Sequence, residues 1–107
     1  MKFNTIGVIT KPQAESVSQT LRALFDFLDK HNREIILDDQ IPDTINRSGY
    51  EKASRETIGK KCELVIVVGG DGTILNAVRS LAHDNVPLVG INVGRLGFLA
   101  DVSPDGM

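Results

Sequence analysis

The chain has no tryptophan, one tyrosine and 5% aromatic residues in all, so no platform for stacking the bases of a single strand is visible. It also lacks a dominant charge. A formal net charge of −2 removes the basic footprint expected of a nucleic-acid binder, and no nucleic-acid partner is expected. The single cysteine, Cys62, excludes an internal disulfide and a cysteine zinc cluster, and a reducing cytoplasm fits. Long apolar runs are missing too. Near the N-terminus only Ile6 to Ile9 is apolar, too short for a signal peptide or a membrane span, so no membrane partner is expected. There is no internal repeat and no low-complexity tract. What remains is 107 residues, 41% hydrophobic and 24% charged, the composition of one modest globular domain over 1–107.

What is present centres on Leu64-Val65-Ile66-Val67-Val68-Gly69-Gly70-Asp71-Gly72-Thr73. An all-apolar, β-branched run reads as a strand buried on both faces, as in a parallel sheet. Ile74, Val78, Leu81 and Ala82 then fall at helical spacing, with Leu75 widening the stripe. The pattern is strand, tight glycine turn, helix. Gly69, Gly70 and Gly72 can take positive φ and admit a close neighbour to the backbone. Unpaired N–H groups at a helix start suit phosphate oxygens. An aspartate among them is repelled by phosphate and needs another role. Asp71 could be a general base on a hydroxyl, could hold a metal that neutralises phosphates, or could cap the helix.

Two common phosphate loops are excluded. A Walker loop needs Lys then Ser or Thr after its last glycine, and Gly72 is followed by Thr73-Ile74. A G-x-G-x-x-G fingerprint would place Leu75 where its third glycine belongs and Asp71 between the first two.

Elsewhere the chain reads as alternating strands and helices. Phe3 to Thr10 is a first strand. Ser16 and Gln19 have capping-box spacing, and Val17, Leu21, Leu24, Phe25 and Leu28 mark one face of a helix to about His31. Glu34 to Leu37 is a second strand, completing a right-handed β-α-β unit. Residues 38–49 read as a loop and 50–60 as a weak helix. Glu51, Lys52, Arg55, Glu56, Lys60 and Lys61 read as a solvated face. Cys62 reads as a small core residue opening the central strand. The helix after the glycine turn is expected to end near His83-Asp84-Asn85, and His31 and His83 suit the last turns of their helices. Val86 to Ile91 is a further strand. The expected fold is α/β, an open, Rossmann-like parallel sheet with flanking helices and strands near 3–10, 34–38, 63–68 and 88–91.

A second glycine-rich stretch follows, Asn92-Val93-Gly94-Arg95-Leu96-Gly97-Phe98-Leu99. If its strand neighbours the central one, both turns open on the same edge. Asn92, Gly94 and Gly97 then face Asp71 and Gly72 across a crevice. Phe98 could offer a ring to a base or be plain core, and Arg95 could meet a phosphate or solvent.

Gly69-Gly70-Asp71-Gly72-Thr73 resembles the signature of a superfamily that includes NAD kinases, phosphofructokinases, and diacylglycerol and sphingosine kinases. Gly90-Ile91-Asn92-Val93-Gly94-Arg95-Leu96-Gly97-Phe98-Leu99 is similar to a segment of bacterial ATP-NAD kinases, and the spacing of the two motifs matches as well. The resemblance implies transfer of the γ-phosphoryl of ATP, or of polyphosphate in some members, to the 2′-hydroxyl of the adenosine ribose of NAD. It implies a need for Mg²⁺ and an enzyme that is usually a homo-oligomer. Asp71 matches the family's base, Gly72 a residue at the dinucleotide, Phe98 a ring beside the adenine and Leu99 a neighbouring contact. With Gly70 and Asn92 these make the candidate substrate site, and no residue is assigned as a metal ligand. Asn76 stands where some members carry a basic side chain, so no charge role is assigned to it. The family has a second, β-rich domain that carries an Asn-Asp pair. None of it is present in these residues, so the chain reads as the N-terminal domain of a two-domain kinase, inactive alone. The alternatives are another kinase with this motif, acting on a sugar phosphate or a lipid, and a non-catalytic nucleotide-binding domain.

Overall fold

The computed structural model describes residues 4–11, 15–42 and 50–93. Eight elements follow in order: β1 (Thr5–Thr10), α1 (Glu15–Lys30), β2 (Glu34–Asp38), β3 (Glu51–Ala53), α2 (Arg55–Lys61), β4 (Leu64–Gly69), α3 (Asp71–Ser80) and β5 (Leu88–Asn92). The strands form one five-stranded sheet in the order β3-β2-β1-β4-β5, and every pairing is parallel. The chain winds outward from β1 in one direction, then returns to start again at β4. The crevice between β1 and β4 is therefore the topological switch point, where open parallel sheets place their ligands.

Side-chain alternation explains why the sheet is covered on both faces. Leu64, Ile66 and Val68 of β4 join Ile6 and Val8 of β1 and Ile35 and Leu37 of β2 beneath Val17, Leu21, Phe25 and Leu28 of α1. Val65 and Val67 face the other way, packing with Ile9, Ile36, Ile58 of α2, and Ile74 and Ala77 of α3. Both alternate sets of β4 are buried, which is why that strand reads as continuously apolar. The close seat of α2 depends on Gly7, where an added Cβ would lie 2.7 Å from Ile58 Cγ2. Phe25 closes the α1 side with an edge-on contact to Tyr50 at 5.2 Å between ring centroids.

Several expectations are corrected. Residues 51–53 form an edge strand, not the start of a helix. Glu51, Lys52 and Ala53 pair through the backbone with Ile36, Leu37 and Asp38, and Ser54 then caps α2 by accepting from the Thr57 N–H. Ser16 lies within α1, which begins at Glu15, and not at the position before it. The third helix ends at Ser80, and His83 lies exposed in the following turn, which Asn85 closes in the left-handed region (φ 53°). Asn32 does the same after α1 (φ 57°). Cys62 ends α2 instead of opening β4, and it is buried. Burial, chiefly, and the Glu34 carboxylate push its thiol up to about 11, with a smaller rise from Glu51 and Lys61 opposing.

Candidate active site

Because all strands run the same way, their carboxyl ends share one edge. The buried polar side chains among the described residues sit there: Thr10 ends β1, Asp38 ends β2 and Asn92 ends β5. Buried polar groups need partners, and each has one. Thr10 Oγ1 donates to the Val68 carbonyl at 2.7 Å. Asp38 Oδ2 accepts from Arg55 Nε at 3.0 Å, and its Oδ1 accepts from the Gln40 N–H at 3.2 Å. Asn92 Nδ2 donates to Asp71 Oδ1.

The last of these contacts joins the two sequence motifs. The register of β4 with β5 sets Gly69 against Asn92, and the Val93 N–H donates to the Gly69 carbonyl at 3.0 Å. That pairing brings the Asn92 amide beside the start of α3. Asp71 is the first residue of α3, exposed at the edge, with its carboxylate held by Asn92. The cap position belongs to Gly70, and no side chain caps the helix. The capping role for Asp71 is thus corrected. Its carboxylate is turned along the edge toward β5.

The glycines serve space, not unusual dihedrals. Gly70 is extended (φ −89°, ψ −175°), and neither Gly69 nor Gly72 has the positive φ that the sequence allowed. A Cβ at Gly70 or Gly72 would meet nothing within 4 Å, whereas one at Gly69 would lie 2.9 Å from Thr73 Cβ. Gly69 lets α3 close onto the strand end. Gly70 and Gly72 leave open volume above it.

That volume is continuous with a cleft of about 670 Å³. Gly70, Gly72, Thr73 and Asn76 form its α3 wall. Thr10 and Lys11 after β1, Gln40 after β2, and Arg55 at the head of α2 form the opposite side. Arg55 was read as part of a solvated face, and this too is corrected. Besides Asp38 it reaches α3, with Nη1 donating to Asn76 Oδ1 at 2.5 Å and to Ser80 Oγ at 3.1 Å. Its guanidinium therefore stands beside Asn76, the position at which no charge was assigned. Glu56, Lys60, Glu51 and Lys61 are exposed, as a solvated face requires, and they form the ion pairs Lys60–Glu56 and Lys61–Glu51.

Among the described residues no group of three or more His, Cys, Asp or Glu side chains comes together as a metal cage. Mg²⁺ is commonly held by one or two carboxylates plus substrate phosphates. The exposed carboxylate of Asp71 beside an open cleft fits that second arrangement. Of the other candidate residues, Phe98 and Leu99, with Gly94, Arg95 and Gly97, lie outside the described residues. No helix among the described residues is long and apolar enough to cross a membrane.

Fold and site define a doubly wound α/β domain with a glycine turn, a carboxylate and a ligand cleft at the carboxyl edge. Residues 6–107 match the family model of the ATP-NAD kinase N-terminal domain, and the chain belongs to the NAD kinase family. It is 45% identical over 104 residues to the NAD kinase of Saccharophagus degradans and 44% identical over 103 residues to that of Chromohalobacter salexigens. These alignments cover 97% and 96% of this chain and 35% of each relative, so the chain spans about a third of their length. A solved structure of yeast NADH kinase complexed with NADH shares the fold, with a TM-score of 0.72, 21% identity, and coverage of 91% of this chain and 33% of that one.

Proposed function

We propose that this chain is the N-terminal nucleotide-binding domain of a cytoplasmic NAD kinase. The enzyme transfers the γ-phosphoryl of ATP to the 2′-hydroxyl of the adenosine ribose of NAD, giving NADP. The observation that carries this reading is the Asn92–Asp71 hydrogen bond, which joins the two motifs and orients an exposed carboxylate at a glycine turn. A ribose hydroxyl is a weak nucleophile at neutral pH. Asp71 accepts its proton as the bond to phosphorus forms, help typically worth about 10²–10⁴-fold. Asn92 keeps that carboxylate in one orientation, so less of the barrier goes to aligning it. Gly70 and Gly72 keep the space beside it open for ribose and phosphates. Phe98 and Leu99 are the residues assigned to contact the adenine, on the family resemblance of their motif. Asp71 would help to hold Mg²⁺, which would supply charge to offset that of the donor phosphates. The complete active site needs a second domain, and the assembled enzyme is a homo-oligomer.

The test is Asp71→Asn in the full-length enzyme. Asparagine keeps the size and a hydrogen-bonding oxygen for Asn92 but cannot take the ribose proton. Turnover at saturating NAD should fall by about two orders of magnitude or more, with NAD affinity and melting temperature little changed. Near-normal turnover would refute the general-base role. Partial recovery at high Mg²⁺ would reassign Asp71 to the metal. Assaying NAD and NADH in parallel fixes which acceptor is used.

A further inference from the structure

The joint between β4 and α3 does not by itself fix the direction of the helix. It runs through Gly69 and Gly70, and no side chain caps the first turn. Two glycines in succession leave the backbone freer than any other pair. Ile74 and Ala77 hold α3 down on the sheet, but apolar contact is non-directional and lets a helix slide. Hydrogen bonds supply the direction. Asn92, at the end of β5, donates to Asp71. Arg55, at the head of α2, reaches α3 further along. Its Nη1 donates to Asn76 Oδ1 at 2.5 Å and to Ser80 Oγ at 3.1 Å, two acceptors one turn apart. Ser80 Oγ donates onward to the Asn76 carbonyl at 3.0 Å, which turns its lone pairs to the guanidinium. Arg55 is itself anchored. Its Nε donates to Asp38 Oδ2 at 3.0 Å, and Asp38 is 1% exposed with its other oxygen on the Gln40 N–H. Asp38 ends β2 and Asn92 ends β5, with β1 and β4 between them, so α3 is tied to the sheet from both flanks.

We propose that Arg55 is a positioning residue for the transfer: anchored on Asp38, it clamps α3 through Asn76 and Ser80 and so sets where the first turn carries Asp71 and Gly72. The proposal rests on the kinase function put forward above. A planar guanidinium holds its partners at fixed angles, which an ammonium on a flexible stem does not. A displacement of about 1 Å at a reacting group, caused from a distance, can cost about 10²-fold in rate. Arg55 acts through the helix, so its loss slows the step at Asp71 and leaves substrate affinity near normal.

The experiment uses the full-length enzyme in three forms: Arg55→Lys, the pair Asn76→Ala with Ser80→Ala, and all three changes together. Lysine keeps a charge beside Asp38 but loses the fork. The alanines remove both acceptors on α3 and leave Arg55 paired to Asp38. Asn76 and Ser80 are exposed and alanine is the best helix former, so the alanine form folds even if Arg55→Lys does not. Each form should lower kcat about 10–100-fold, with KM for ATP and for NAD within about threefold of normal. The combined form should match the slower of the two within about twofold, because both break the same clamp. In Arg55→Lys, amide hydrogen exchange should quicken about tenfold or more in α3 and stay unchanged in β1 and β4. Raised KM with normal kcat overturns the proposal by making Arg55 a substrate contact. A lower melting temperature with normal kcat and KM overturns it too, since the network would then be structural alone. So does a normal kcat in the alanine form beside a slowed Arg55→Lys. If the unaltered enzyme forms no NADP, the kinase reading fails, and exchange still judges the clamp: unchanged protection of α3 refutes it.

Discussion

Replacing Gly72 with alanine should stabilise the domain and damage the enzyme, and the opposite signs make the test sharp. Gly72 lies in α3, has no positive φ, and an added Cβ meets nothing within 4 Å. Alanine can adopt that conformation without strain. Glycine in a helix interior costs about 0.5–1 kcal/mol relative to alanine, and a first-turn position sets that as the upper bound of the gain. At about 4–8 °C per kcal/mol for a domain of this size, melting of the 107-residue chain should rise by a few degrees. The same methyl group would stand in the space assigned to ribose and phosphates. A displacement of about 1 Å at a reacting centre can cost about 10²-fold, so NADP formation by the full-length Gly72→Ala enzyme should fall about a hundredfold. Gly69→Ala is the contrasting control. Its Cβ would sit 2.9 Å from Thr73 Cβ and 3.0 Å from Thr73 Cγ2, so α3 must shift, at about 1–3 kcal/mol of overpacking and a lower melting temperature. If Gly72→Ala melts normally or higher yet turns over normally, the open space is not used by substrate. If it melts lower, the local geometry argued above is wrong.

The 107-residue chain by itself should yield no NADP from ATP, Mg²⁺ and NAD, because its relatives are about three times as long and binding energy from the remainder is needed for alignment; product formation by the purified chain would refute this. Phe25→Ala removes a ring that is 1% exposed and packed on Tyr50, so denaturant melts should show a loss of about 3–5 kcal/mol. The Cys62 thiol ionises at an ordinary value of 9.0 when unfolded and at about 11 when folded. Between these the native state binds more protons, so its contribution is fully present below pH 9.0 and is lost as pH rises toward about 11. Cys62→Ala should flatten that alkaline fall, and alkylation of native Cys62 at neutral pH should be slow relative to the unfolded chain.

The fold was legible where side chains carry the signal. The β4 run is apolar on both alternate sets because helices cover both faces, and α1 shows a stripe because it covers one. Residues 51–53 carried no such signal. An edge strand paired mainly through its backbone can be Glu51-Lys52-Ala53, and composition alone cannot separate that from a solvated helix. The helix end at Ser80 was missed for a related reason, since Leu81 stays buried one residue beyond the helix and prolongs the apolar stripe. In the site, Asp71 and Asn92 were legible as a facing pair because each follows an apolar strand and adjacent parallel strands bring their ends together. Arg55 was not. It sits in a run of charges with nothing local to single it out, and only the crossover from β2 through β3 to α2 carries it back to the end of β2. One clue was available. Asp38 follows Ile35-Ile36-Leu37 directly, and a carboxylate at the end of a buried strand calls for a cation whose place in the chain the sequence does not tell.

The Asp38–Arg55 pair is better explained by function than by stability. Taking a carboxylate to 1% exposure is costly, and the gain from a single guanidinium usually does little more than offset it. Apolar residues of similar volume in such a place commonly leave a fold as stable or more so. Thr10 and Asn92 also occupy buried strand ends where aliphatic side chains would pack without needing partners. All three lie at the carboxyl edge, whereas at the amino edge the half-buried Arg33 side chain places a buried Nε directly before β2. Polar groups buried at random would be scattered through the core. Gathered at the end where the strands open onto the cleft, they fix three things that packing alone would leave loose: the guanidinium through Asp38, the carboxylate of Asp71 through Asn92, and β1 against β4 through Thr10. Phosphoryl transfer depends on holding charge and hydroxyl in register, so rigidity at this edge is worth more to the chemistry than the same buried volume would be to stability.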